Sequence, residues 1–174
     1  MNWCQRTARY PPNASARPDR VASLKIHRVN VTEVVFHFNV AEKRIHACRL
    51  LRKAYLQGAR LLAVAEPQEL DPLDAALWTL AGRDFIPHAR LSDPLEVQTH
   101  SPIFLVGEWP TEAPHLQDRV LVNLSSGFLS GFERFVRVIE VVSRDQPDRE
   151  QARERWKVYR AAGIEPTHHD FTDR

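Results

Sequence analysis

The chain has 174 residues, enough for one domain with a buried core. A hydrophobic fraction of 43% and a charged fraction of 26% exclude a disordered or fibrous protein. No stretch reaches the roughly 20 consecutive apolar residues of a membrane helix, and the start lacks the apolar segment of a secretory signal. The two cysteines, Cys4 and Cys48, form neither a disulfide framework nor a metal knuckle, so we expect a cytoplasmic protein.

The formal net charge of +2 is unevenly distributed along the chain. Residues 1–30 carry six basic residues and one acid, a net charge of +5, which leaves −3 for the remainder. Bulk binding to the DNA backbone depends on Lys and Arg side chains that neutralise phosphates. We therefore expect no direct, specific DNA binding by the folded part, and the basic segment is only a minor candidate for it.

Residues 1–30 read as a disordered basic leader, because prolines interrupt polar sequence that has no hydrophobic periodicity. An Arg-rich, acid-poor beginning also resembles an organellar transit peptide. A third interpretation is a start site assigned too far upstream, with the native protein beginning near Val31. In each case we expect residues 31–174 to form a single domain.

Strands and helices alternate from residue 32 onwards. Residues 32–39 are rich in strand-forming side chains, residues 41–57 have apolar side chains at helical spacing, and residues 60–66 are typical of a buried parallel strand. Asp71 and Pro72 predict the start of the second helix, which Gly82 would end. The remaining predicted elements are strands at residues 103–106 and 119–124 and helices at residues 129–142 and 147–162.

This alternation predicts an α/β, Rossmann-like three-layer fold: a mostly parallel sheet with helices on both faces. The turn after the first strand, residues 39–42, contains no glycine, whereas a dinucleotide-binding turn places glycines there so that the backbone can approach a pyrophosphate. Ser125-Ser126-Gly127 follows a strand at a place where a phosphate could bind. A turn with helix capping is the favoured interpretation, so we expect no cofactor.

The eight histidines do not form a recognisable metal or acid–base motif. His168, His169 and Asp170 lie close to the C-terminus, where chains often fray. His37 on the first strand and His46 on the first helix are expected to be hydrogen-bonded or solvated rather than catalytic. No Ser/His/Asp or Cys/His spacing of a known enzyme class occurs, so we expect no catalytic residues and no metal.

The last predicted helix carries a basic stripe. At about 100° per residue, Arg149, Arg153, Trp156 and Arg160 fall within a stripe about 60° wide. Guanidinium groups bind carboxylates bidentately, and an indole offers a flat apolar wall. A peptide end with acids and a terminal aromatic residue would satisfy both, although a solvated charged helix with a half-buried tryptophan remains the alternative.

Several segments resemble the chi subunit of bacterial DNA polymerase III. Residues 155–163 (RWKVYRAAG) are similar to the C-terminal signature of that family. Residues 73–78 (LDAALW), followed six residues later by residues 85–88 (FIPH), match a second motif. The strand that starts at Thr32 and residues 58–62 also fall where the family has them. The resemblance covers roughly residues 31–165.

The resemblance implies a Rossmann-like domain without a nucleotide. It implies a non-catalytic, replisome-associated subunit that holds the acidic C-terminal tail of the single-stranded-DNA-binding protein (SSB) and links it to the clamp loader. By position, Arg153 would bind the terminal carboxylate of the SSB tail, and Arg149 would bind the acidic residues of the tail. Trp156 would contact the terminal phenylalanine of the tail. Val142, Trp78 and Phe85 would line or border that site, and helix geometry adds Arg160.

The implied partners leave alternatives open. In some bacteria a psi subunit bridges chi to the clamp loader, but the sequence does not indicate whether psi exists here. The same scaffold could instead serve as an adaptor for a DNA-repair helicase. An enzyme of the nucleotide-binding α/β type is disfavoured, because it would need a glycine-rich first turn or a convergent acid–base cluster.

Overall fold

The structure is a computed structural model that describes residues 32–79, 85–108 and 119–172. The predicted leader and the helix end predicted at Gly82 lie outside the described residues. No helix in the described ranges is both long and apolar enough to cross a membrane.

A seven-stranded sheet forms the centre of the described fold. Every neighbouring pair of strands is parallel. The inner strands are apolar along nearly their whole length because helices or loops cover both faces of the sheet. The strands are β1 (Glu33–Val40), β2 (Leu61–Val64), β3 (His88–Arg90), β4 (Ile103–Val106), β5 (Val120–Asn123), β6 (Arg137–Ser143) and β7 (Thr167–Asp170), in the spatial order β3-β4-β2-β5-β6-β1-β7.

Helices cover both faces of the sheet. On one face α1 and α2 bury side chains that include Leu51 and Leu77 in one apolar cluster, and on the other α4 buries Ala152 and Tyr159 in a second cluster. The three-layer α/β prediction is therefore confirmed. The helices are α1 (Lys43–Leu56), α2 (Pro67–Thr79), α3 (Leu95–His100) and α4 (Gln146–Ala161), with a short 3-10 helix at Phe132–Arg134.

The helix predicted at residues 129–142 is wrong. Only the 3-10 helix forms there, and it leads into strand β6, where seven residues (RVIEVVS) pair with β1 and β5. Four β-branched side chains in this run favour an extended backbone. A short apolar run does not distinguish a buried strand from a buried helix by periodicity, and the single acid Glu140 imitates a polar helix position.

The start of α2 also differs from the prediction. The helix begins at Pro67, and the carbonyl of Glu66 accepts a hydrogen bond from the amide of Glu69 (2.8 Å). Proline is well suited to the first helical position, since its missing N–H is not needed there. Pro72, predicted to start the helix, lies inside it, where it removes one backbone hydrogen bond.

Sequence analysis does not predict the three short elements β3, α3 and β7, which have three to six residues. Such lengths are too short for periodicity to show. The segment expected to fray, residues 168–170, belongs to β7 and pairs with β1 at the edge of the sheet. This edge strand forms one wall of the candidate site.

Candidate functional site: a basic pocket between α4 and the edge strand

A cavity of about 550 Å³ lies between α4, the end of β1 and β7. We call it the α4 pocket. It brings together three of the predicted site residues, Arg149, Arg153 and Trp156. Its complete lining is Phe38, Asn39, Arg149, Arg153, Trp156, Lys157, His168 and Asp170.

The amphipathic pattern of α4 places these side chains at the pocket. Ala152, Arg155 and Tyr159 are buried on the inner face of the helix. Residues one or two positions away turn by about 100° each, so Arg153 and Trp156 point to the flank of the helix rather than into the core. The helix therefore presents its cations beside β7 while its inner face fixes it to the sheet.

Aromatic rings form one wall of the α4 pocket. Trp156 is half-buried, and its ring centroid lies 4.9 Å from that of Phe36 and 6.3 Å from that of Phe38. His168 of β7 lies 6.3 Å from Trp156 in an edge-on arrangement. Tilted and edge-on contacts at these distances are favourable between aromatic rings, so the wall is packed before any ligand arrives.

Two cations in the α4 pocket are available to a ligand. The side chains of Arg149 and Arg153 form no ion pair or hydrogen bond with any described residue. Lys157 is bound to Glu154 (2.7 Å). The acids of α4 therefore do not neutralise these two arginines.

The one acid in the pocket lining, Asp170, is already hydrogen-bonded to residues of β1 and of the C-terminal turn. Its carboxylate accepts hydrogen bonds from the Thr172 hydroxyl (2.6 Å) and from the Asn39 amide (3.0 Å). The hydrogen bonds from Thr172 and then from Asn39 lower the pKa of Asp170 to about 2. The carboxylate is thus ionised at neutral pH, but its hydrogen-bonding capacity is already directed at β1 and the C-terminal turn.

A buried polar network anchors α4 to the sheet, and sequence analysis misses it. The Arg155 Nε donates to the Glu140 carboxylate (3.0 Å), and the Tyr159 hydroxyl donates to the same group (2.8 Å). The Asn123 amide on β5 donates to it as well (3.0 Å). Glu140 is fully buried and Arg155 is 2% exposed, so the pair lies in the core under the helix.

The available sequence signal for this network was an acid inside an apolar run and an Arg–Tyr pair four residues apart. Burial raises the pKa of Glu140, whereas Arg155 and the hydrogen bonds from Tyr159 and Asn123 act in the opposite direction. Arg155 also donates to the carbonyl of Ser126 (2.6 Å). The network therefore ties α4, β5, β6 and one loop together.

Two further predicted site residues lie near the α4 pocket without lining it. Val142 is fully buried on β6, in the apolar cluster against which Trp156 packs. It therefore belongs to the core beneath the pocket and not to the pocket lining. Arg160 lies about one turn beyond the pocket, with its Nε 3.6 Å from the Glu165 carboxylate. Of the four residues that helix geometry places in one stripe, three therefore line the cavity.

Trp78 and Phe85 are not part of the α4 pocket. They form a separate aromatic patch, with ring centroids 5.1 Å apart and exposed fractions of 57% and 62%. This patch adjoins His88 of β3, at the opposite edge of the sheet from β7. The helix α2 that carries Trp78 also packs on the opposite face from α4. The expectation that both residues line or border the same site therefore does not match the fold.

The aromatic patch has a rigid base. His88 bridges the carbonyl of Ile86 (2.7 Å) and the carboxylate of Asp74 (2.8 Å). Asp74 also accepts a hydrogen bond from the Trp78 indole (2.9 Å) and binds Arg90 (2.6 Å). The tryptophan is thus held in place by its polar edge while its apolar face stays exposed.

The carboxyl ends of the parallel strands border a larger cleft, of about 870 Å³. In open α/β sheets this edge is where ligands usually bind. Here the amide and hydroxyl of Ser126 both donate to the Glu66 carboxylate (2.9 and 2.7 Å), which lowers the pKa of Glu66. The position considered for a phosphate is thus occupied by a carboxylate, and residues 125–127 form a turn that is not followed by a capped α-helix.

The histidines on β1 and α1 contact each other. His37 Nδ1 lies 2.9 Å from His46 Nε2, so one ring donates and the other accepts. Within the described ranges no group of three or more His, Cys, Asp or Glu side chains could hold a metal ion. The pair thus forms a polar contact between α1 and β1.

Comparison with known proteins identifies the family. The family model described as DNA polymerase III chi subunit, HolC, matches residues 31–167. The chain belongs to the DNA polymerase III chi subunit family. The resemblance inferred from residues 155–163 and from residues 73–88 is confirmed by this match. The chi family is thus a family of subunits of the replicative polymerase.

Three curated chi subunits are similar to this chain. That of Pseudomonas aeruginosa is 34% identical over 122 residues, covering 67% of this chain and 78% of the relative. The Escherichia coli chi subunit is 27% identical over 124 residues, with the same two coverages. The Haemophilus influenzae chi subunit is 29% identical over 120 residues, covering 67% of this chain and 79% of the relative.

Solved structures of another group of proteins have a similar fold. The C-terminal domain of the DEAD-box protein Dbp5 has a TM-score of 0.58 at 12% identity, covering 83% of this chain and 93% of that domain. The Saccharomyces cerevisiae Dbp5 C-terminal domain has a TM-score of 0.52 at 13% identity, covering 83% and 92%. Identities this low show a shared α/β fold alone.

Proposed function

We propose that this protein is a non-catalytic accessory subunit of the DNA polymerase III holoenzyme that binds the C-terminal tail of SSB and links it to the clamp loader. Membership of the chi family supports a role in replication. The observation that carries tail binding is the α4 pocket, in which two arginines without acidic partners face an aromatic wall. An acidic peptide that ends in Pro-Phe supplies a matching carboxylate, acids and ring.

The proposed binding mode assigns one task to each residue. Arg153 binds the terminal carboxylate of the tail through its guanidinium fork, and Arg149 binds an acid upstream of it. Trp156, backed by Phe36 and supported from below by Val142, packs against the terminal phenylalanine. Arg160 is left outside this site because it lies beyond the pocket lining.

Arg153→Ala should weaken binding of a fluorescent acidic peptide that ends in Pro-Phe by at least about 1.5 kcal/mol, more than tenfold in Kd. The loss follows from removing a charge-assisted hydrogen bond to the terminal carboxylate. Anisotropy titrations measure it, and an amidated peptide should show a similar loss on the unaltered protein.

Arg160→Ala is the matched control for the peptide titrations, because it removes an arginine from the same helix outside the pocket. It should change the Kd less than threefold. Binding by the unaltered protein should also weaken as salt rises, as expected for exposed charge pairing. The tail would have to bind elsewhere if Arg153→Ala bound the Pro-Phe peptide as tightly as the unaltered protein and if amidation of the peptide left the Kd unchanged.

The link to the clamp loader requires a second surface, and we assign it to the aromatic patch. An exposed Trp–Phe pair is a typical anchor for a protein partner, since aromatic residues dominate binding energy at interfaces. The patch lies at the opposite edge of the sheet from the α4 pocket, so both partners can bind at once. Psi, where it exists, is the expected occupant.

The double variant Trp78→Ala/Phe85→Ala should lose capture of clamp-loader subunits at least tenfold in a pull-down and keep its affinity for the Pro-Phe peptide. The aromatic faces are exposed, so the change removes contact area rather than core packing. Recovery of a repair helicase but of no clamp-loader subunit by the unaltered protein would instead favour the helicase adaptor.

A further inference from the structure

A second basic surface lies on the face of the sheet opposite the α4 pocket. Helix α1 (KRIHACRLLRKAYL) contains five Lys or Arg residues and no acid, although the folded part of the chain is net acidic. Two of these cations, Lys43 and Arg44, are bound by Asp148 and Glu69. The helix nevertheless keeps a positive face toward β7.

Arg49 and Lys53 are the cations of α1 that remain available. Both are exposed, and neither side chain forms an ion pair or hydrogen bond with a described residue. They are four residues apart, so they lie one above the other on the same face of the helix, about 6 Å apart along its axis. Such a pair presents two positive charges in a row.

Two cavities flank this face and join into one groove. One of about 420 Å³ is lined by residues that include His46, Arg49 and Phe171, and one of about 490 Å³ by residues that include Arg137 and His169. Both share His37, Leu50, Lys53 and Phe171. We call the joined cavities the α1 groove.

Aromatic rings form the wall of the α1 groove opposite α1. Phe171 lies 5.0 Å from His37 and 4.6 Å from His46 between ring centroids, and His169 lies 5.7 Å from His37. Arg137 of β6 also lines the groove, but it is bound to Glu33 (3.4 Å), so Arg49 and Lys53 are the cations considered for a ligand. Acids are sparse, since Glu42 and Asp170 are the acids that line the groove.

We propose that the α1 groove binds single-stranded DNA without sequence preference. A positively charged groove with rings on which bases stack is the general chemistry of such sites. Arg49 and Lys53 would neutralise successive phosphates while a base packs beside Phe171. The basic leader of this chain is disfavoured as an occupant, because its charge has the same sign as the exposed cations of the groove.

The fold places the α1 groove and the α4 pocket back to back. Successive side chains of an extended strand point to opposite faces. In and just after β7, His168 lines the α4 pocket and His169 and Phe171 line the α1 groove, whereas Asp170 borders both. A protein held on an SSB tail by the first face would thus present the second face to nearby DNA. The DNA surface stands whether or not the α4 pocket binds that tail.

Anisotropy with a fluorescent oligo(dT) and the full chain tests this proposal. Arg49→Gln/Lys53→Gln should raise the Kd at least tenfold. It should also reduce the slope of log K against log salt by about 1.4, since each phosphate contact to a single strand contributes about 0.7. Imidazole signals of His37 and His46 should shift in NMR spectra when oligo(dT) is added to the unaltered protein.

Arg153→Gln/Arg160→Gln is the matched control, with the same loss of net charge on the other face. It should weaken binding of the Pro-Phe peptide and change the Kd for oligo(dT) less than twofold. If both double variants lost DNA binding equally, net charge alone would explain the loss, and the assignment to the α1 groove would be overturned. It would also be overturned by DNA binding that vanishes on deletion of residues 1–30 but survives in Arg49→Gln/Lys53→Gln, or by a groove that binds an acidic peptide in place of DNA.

Discussion

Replacing Arg155 with alanine should lower the free energy of unfolding by about 3–5 kcal/mol, the usual result of breaking a buried ion pair from one side. The Glu140 carboxylate is fully buried and would lose the only cation within hydrogen-bonding distance among the described residues. Tyr159 and Asn123 would remain as neutral donors. Equilibrium unfolding in urea measures the change, and peptide binding should weaken as α4 loses its anchor.

Arg153→Ala is the control for this stability effect, since it removes an arginine two residues away whose side chain is exposed. Its free energy of unfolding should change by no more than about 0.5 kcal/mol. Glu140→Leu/Arg155→Met, which removes both charges, should be less destabilised than the two single substitutions added together. A loss below about 1 kcal/mol for Arg155→Ala would show that the network contributes little.

Acidification should destabilise the protein through His37. Burial, followed by the neighbouring His46, His169 and Arg137, lowers the pKa of His37 from 6.5 to about 4. Burial and Arg49 also lower the pKa of His46. Both rings favour the neutral form in the folded state, because burial removes solvent from the imidazolium and neighbouring positive charges repel it.

The sign of the effect follows from proton binding. Between pH 6.5 and 4 the unfolded chain holds a proton on this histidine and the folded chain does not. The contribution of His37 is therefore complete above about pH 6.5 and is lost as the pH falls toward 4. The shift corresponds to about 3.4 kcal/mol at most, and partial solvation of the ring reduces it to about 2 kcal/mol.

His37→Gln isolates this contribution from that of the carboxylates, which also titrate in acid. The free energy of unfolding is measured in urea at pH 7 and at pH 4. Its loss between the two pH values should be about 2 kcal/mol smaller for His37→Gln than for the unaltered protein. His100→Gln, on exposed α3, should leave the loss unchanged. Parallel pH profiles for His37→Gln and the unaltered protein would refute the assignment.

The candidate site could be predicted where it depends on one helix. The spacing of Arg149, Arg153 and Trp156 is set by the geometry of α4 alone, and the structure brings these three to one cavity. Arg160 shares the helix stripe, but the stripe extends past the end of the pocket. Helix geometry gives the direction of a side chain and carries no information on what lies opposite it.

The sequence by itself determined the α/β class, the first strand, the flanking helices α1 and α4, and the basic stripe, because these depend on periodicity within one segment. Only the tertiary structure decided that Trp78 and Phe85 lie away from the stripe, that Glu140 and Arg155 meet, and that β7 closes the pocket. The order of strands in a sheet and the partner of a buried charge are set by contacts between residues far apart in the chain. Local patterns do not encode them.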